Sequence, residues 1–168
     1  MKKFAFILFG VFCTAFCPYS YADLGNIVYC EIENIGIFQT VVVGKEAAGN
    51  STEGKLNRVK ERHHKFTTTE IPAKLGTSFG FTYKLKGSSL IEKIRIRKVT
   101  IVPGEGILNE NTGKKQNEWF QESAIIPNQS YFATWTFDEH DLPIPKGNWI
   151  VQLWHDNRLI AEKVFNVK

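Results

Sequence analysis

The stretch "GTSFGFTYKLKG", residues 76–87, constrains the fold more than any other. Phe79, Phe81, Tyr83 and Leu85 fall on one parity, Ser78, Thr82 and Lys84 on the other, with Gly76 and Gly87 as bounds. Period two marks a strand with one buried face, because successive side chains leave the pleat on opposite sides. "SYFATWTF" repeats it, setting Tyr131, Ala133, Trp135 and Phe137 against Thr134 and Thr136, with Phe132 as the exception. "EKIRIRKVTIVP" sets Ile94 and Ile96 against Lys93, Arg95 and Arg97, and then the phase changes at Val99 and Ile101. A slip of one residue turns a strand over, so a β-bulge or bend is expected near Arg97–Lys98. No window shows the 3.6-residue period of an amphipathic helix. The nearest, "TGKKQNEWFQES", is mostly polar, with room for a turn or two.

Further strands are expected at "IENIGIFQTVVVG", "LNRVKERHHKFTTTE", "WFQESAIIP" and the two arms around "HDNR", separated by "GKEAAGNSTEG", "PGEGILNENTGKKQNE" and "DEHDLPIPKGN". About seven or eight short strands at this spacing predict an all-β chain, an immunoglobulin-like antiparallel β-sandwich. A small closed β-barrel is the alternative.

The start of the chain predicts its compartment. Met1-Lys2-Lys3 precedes the uncharged "FAFILFGVFCTAF", and small residues stand at Ser20 and Ala22. That layout predicts a signal peptide, residues 1–22, cleaved after Ala22 to leave a single domain, residues 23–168, in the periplasm or secreted. No later segment approaches the roughly 20 apolar residues of a membrane span. Cys13 and Cys17 each follow Phe, where a lipid-attachment site wants a small residue.

Two lysines would leave with the leader, so 19 basic residues face 17 acidic ones, a net charge of +2. That is too mild a field to imply nucleic acid. Cys30 is the one cysteine after the leader, so no intramolecular disulfide is expected. It reads as a buried apolar thiol, with intermolecular pairing or reactivity as the other readings.

"IPAKLGTSFGFTYKLKG", "NENTGKKQNEW" and "WTFDEHDLPIPKGNWIVQLWHDNRLIAEKVFNV" together resemble an exported bacterial family, domain of unknown function 3859. The resemblance runs from about Ile35 to Lys168. It implies a β-sandwich and supplies no activity, substrate or catalytic residue. Hairpins of this kind often turn on Asp-Gly, whereas this chain has Asp156-Asn157. Asn also tolerates positive φ, so the turn is expected to survive.

The residues that carry chemistry are few. His63-His64 would point to opposite faces of a strand and so cannot chelate one ion together. "DEHD", residues 138–141, lacks the interleaved glycine of a calcium loop and reads as a polar turn. There is no HExxH or CxxC. Copper(I) would want Met and Cys, yet no Met and one Cys follow the leader. His155-Asp156 are strand neighbours expected to diverge. No catalytic, cofactor-binding or metal-binding residue is assigned, and no cofactor is expected.

The last hairpin holds more apolar residues than one face can bury. A two-residue turn at Asp156-Asn157 would set Leu153 opposite Ile160, mixing parities. A three-residue loop over Asp156–Arg158 would set Trp149 opposite Phe165 and gather the odd apolar residues on one face. In the second register Ile150, Trp154, Ile160 and Val164 form an apolar stripe on the outer face. Such a stripe asks for a cover, either the chain's own Asp23–Gly36 or a partner.

The functional expectation is a non-enzymatic binding or accessory module of the bacterial cell envelope. Its expected interaction surface is Trp154, Ile150, Ile160 and Val164, and its partner a protein or a glycan. A structural or self-associating envelope protein is the alternative, and an enzyme of unrecognised type comes last.

Overall fold

The structure, a computed structural model, describes residues 29–47, 55–87 and 93–168. In chain order the elements are β1 (Tyr29–Ala47), β2 (Lys55–Thr67), β3 (Glu70–Ile71), β4 (Ser78–Lys86), β5 (Ile94–Ile101) and β6 (Ile107–Asn109). There follow β7 (Lys114–Gln116), β8 (Glu118–Ile125), β9 (Ser130–Thr136), a 3-10 turn (Glu139–Asp141), β10 (Gly147–His155) and β11 (Arg158–Val167). One sheet runs β2-β1-β4-β9 and the other β3-β11-β10-β5-β8, while β6 and β7 pair as a small separate hairpin. All pairs are antiparallel except the two-residue match of β3 to β11. Among the described residues both sheets have free edges, so the fold is a sandwich and not a closed barrel.

Alternation decides what fills the space between the sheets. Phe79, Phe81 and Leu85 of β4 are fully buried, and they meet Ile94, Ile96, Trp149, Val151, Leu153, Phe165 and Val167 from the other sheet. Phe79 stands 5.2–5.8 Å from the rings of Phe137, Trp149 and Phe165, and Trp135 reaches Trp149 at 5.6 Å. Each such ring contributes on the order of 1.5–3 kcal/mol by burial. On β4, Gly80 has φ +147°, and a Cβ there would lie 2.1 Å from the carbonyl oxygen of Ala133 on β9. The glycine lets two strands approach where any side chain would part them.

The phase change in β5 is not a bulge. The strand pairs without a break to β10, from Arg97↔Trp154 to Ile101↔Ile150, and to β8, from Ile94↔Ile125 to Ile101↔Glu118. Inward positions continue past Ile96 to Lys98 and Thr100, opposite the buried Leu153 and Val151. Val99 and Ile101 therefore face outward. The apolar residues changed parity because the inner face turns polar, while the register stays the same. Lys98 tolerates its inward place by donating from Nζ to the backbone oxygen of Thr134 on β9, at 3.3 Å. Of residues 112–123, where there was room for a turn or two, Thr112 and Gly113 close a turn onto Asn109 and most of the rest is strand, divided between β7 and β8. Its polar content suits an exposed hairpin and an edge strand.

Both arguments about the last hairpin hold at once. Asp156 and Asn157 have φ +46° and +61°, the two positive values of a type I′ turn. Yet Trp149 pairs with Phe165, because the register shifts between Leu153↔Ala161 and Trp154↔Leu159. Ile160 is the extra residue, a bulge that joins the tight turn to the register the core needs.

Candidate functional site

The strand registers lay out the outward face of the five-stranded sheet in three rows. Val164, Ile150 and Ile101 stand side by side, and Glu118 ends that row. Glu162, Gln152, Val99 and Phe120 form the second. Leu159, Trp154, Arg97 and Glu122 form the third. Of the four residues anticipated for this surface, Ile150 and Trp154 are half-buried and Val164 is 42% exposed. Ile160 departs from the expectation: the bulge sets Leu159, also 42% exposed, opposite Trp154, and Ile160 packs against the core.

The anticipated cover is also corrected in part. Residues 29–36 belong to β1 in the other sheet, where Ile32 and Ile35 pack on the far side of the core. Residues 23–28 lie outside the described residues.

Polar side chains on this face engage one another. Trp154 Nε1 donates to Gln152 Oε1 at 2.9 Å, and Gln152 Nε2 donates to Glu162 Oε2 at 2.7 Å. The Arg97 guanidinium lies 4.4 Å from the Phe120 ring centroid and 3.7 Å from Glu118. Val99 is only 4% exposed although it faces outward, because these side chains close over it. Arg97, Val99, Glu118, Gln152, Trp154 and Asn157 line an open depression of about 190 Å³. Arg97, Val99, Phe120 and Leu159 were not legible as members of this face. Arg97, Val99 and Phe120 come from β5 and β8, where the phase change in β5 suggests a break although the strand is continuous, and Leu159 owes its place to the bulge.

The other residues with chemical promise resolve one by one. His155 and Asp156 meet after all, Nε2 to Oδ2 at 3.2 Å, because the turn curls Asp156 back. His155 Nδ1 is 3.0 Å from the backbone oxygen of Arg95, so the pair pins the turn to β5. His63 is exposed beside Glu61, while His64 lies edge-on to Phe38 at 5.4 Å.

Within "DEHD", Asp138 caps the 3-10 turn and Asp141 is 2% exposed. Asp141 Oδ2 accepts from Trp135 Nε1 and from the Asp138 backbone, both at 3.0 Å. Burial outweighs those bonds and pushes the Asp141 carboxyl up to about 7. Burial likewise pushes the Cys30 thiol up to about 11, which leaves little nucleophilic thiolate at neutral pH. Among the described residues no three His, Cys, Asp or Glu side chains gather closely enough to hold a metal ion. No helix there is long and apolar enough to cross a membrane.

An immunoglobulin-like protein from Pseudomonas aeruginosa, known from its crystal structure, is similar to this chain at a TM-score of 0.61 and 24% identity. The match covers 86% of this chain and 99% of that one, and it shows the fold. A Pseudomonas fluorescens alkylpurine DNA glycosylase bound to DNA reaches only 0.39, at 10% identity over 61% of this chain and 28% of its own. No curated protein matches. The family model described as a domain of unknown function matches residues 28–167, so the chain belongs to that family, DUF3859.

Proposed function

We propose that the chain is a non-enzymatic binding or accessory module of the bacterial cell envelope, exported to the periplasm or beyond. Its partner surface is the outward face of the five-stranded sheet. The observation that carries this reading is the joining of apolar rows from three strands around the Trp154 depression. Val164, Ile150 and Ile101 run along one side, with Leu159 and Trp154 along another. Apolar rows divided by the polar pair Gln152 and Glu162 and bounded by Arg97 and Glu118 have the make-up of an interaction site. The depression of about 190 Å³ is open, and small-molecule pockets usually begin near 300 Å³. A broad partner, protein or glycan, suits it better than an enclosed substrate.

The test is capture from envelope extract with the wild-type chain and with Trp154→Ala, after checking that both unfold at similar temperatures. The expected outcome is a partner retained by the first and lost by the second; an identical set from both rejects the surface. Purified cell-wall glycan in the same format separates a glycan partner from a protein.

A further inference from the structure

Two cations with no carboxylate partner among the described residues meet at β9. Arg62 on β2 stands opposite Thr40 on β1. Arg62 Nε and Thr40 Oγ1 are both buried and have no hydrogen-bond partner among the described residues. The guanidinium rests over Phe132 of β9, its Cζ 5.4 Å from the ring centroid. Phe132 in turn meets Phe38 edge-on at 5.9 Å. From the opposite sheet Lys98 reaches the backbone oxygen of Thr134, two residues along β9 from Phe132. Burial, and then the nearby charge of Arg62, lowers the Lys98 ammonium to about 8. Burial also lowers Arg62. Neither cation has a carboxylate within ion-pair distance among the described residues.

Desolvated like charges, together with unsatisfied donors, oppose folding unless something offsets them. The surroundings say what that is. A guanidinium, an ammonium and a hydroxyl are the donor set that holds an oxyanion, and the Phe132 ring under the guanidinium fixes its plane. We propose that Arg62, Lys98 and Thr40 form a binding site for an oxyanion group, carboxylate or phosphate. The site is distinct from the Trp154 face, since two of its members belong to the other sheet. Carboxylate and phosphate share this chemistry, and separate probes tell them apart.

The experiment measures the unfolding temperature of the wild-type protein in inorganic phosphate and in citrate, against sodium chloride at equal ionic strength. It is repeated with Arg62→Met and Lys98→Met, which keep an apolar stem, and with Arg95→Met, an exposed control on another face. Calorimetric titration of the same probes gives the affinities. The expected result is a rise with phosphate, citrate or both in the wild type and in the control. Each of the other two variants should bind about tenfold or more weakly, the loss of one charge-assisted hydrogen bond. A response to phosphate alone assigns a phosphate ligand, and one to citrate alone a carboxylate. No response in the wild type, an equal rise in chloride, or full binding by Arg62→Met and Lys98→Met overturns the site. If Arg62→Met fails to fold, Lys98→Met decides.

Discussion

At the scale of single residues, Asp141 makes the sharpest statement. Its carboxyl has a folded value of about 7 against 3.8 for an ordinary aspartate. The protonated form is therefore the one the fold favours, and its contribution is complete below pH 3.8. As pH rises through about 7 that contribution is lost, because the charge must then sit where water cannot reach it. Asp141→Asn keeps an oxygen for Trp135 Nε1 and removes the charge. It should therefore flatten the fall in unfolding temperature between pH 4 and pH 8, read by calorimetry. A variant that follows the wild-type slope would place the pH dependence elsewhere. Nothing in "DEHD" announced this residue, because Asp138, Glu139 and Asp141 look alike in sequence. Only the fold decides which of them turns toward Trp135.

Elements were easier to foresee where one physical cause acted alone. β4 alternates cleanly because one side meets a core and the other does not, and its pattern was legible as written. β5 was misjudged because alternation records polarity and not direction. Lys98 and Thr100 are inward residues that happen to be polar. The last hairpin set two causes against each other, turn chemistry and core register, and the bulge at Ile160 satisfied both. The turn itself can be tested. Asn157 has φ +61°, a conformation β-branched residues resist. Asn157→Val should cost about 1–2 kcal/mol in denaturant unfolding, and Asn157→Gly should be neutral or better. Equal stability of the two variants would mean that the turn does not hold its I′ form in solution.

At the scale of the molecule, β4 and β10 are the strands paired on both sides that also carry the aromatic heart, Phe79 and Trp149. Their central amides should exchange hydrogen only through global unfolding, while β8, free along one edge, exchanges through smaller openings. Native-state exchange would show the contrast, and uniform protection across both would contradict it. The sandwich class was legible because it needs only a count of alternating segments. The oxyanion site was not, because Thr40, Arg62 and Lys98 come from three strands in two sheets and no spacing links them. The extra residue in β11 reaches furthest of all. Beyond it lie Phe165 and Val167 in the core and the pairing of Val167 with Ile71. Removing Ile160 alone would make the pairing regular and leave Trp149 opposite Phe165, whereas removing it with a second residue would send both side chains outward and unseat β3. The strand carries one spare residue, and its length can fall by one but not by two.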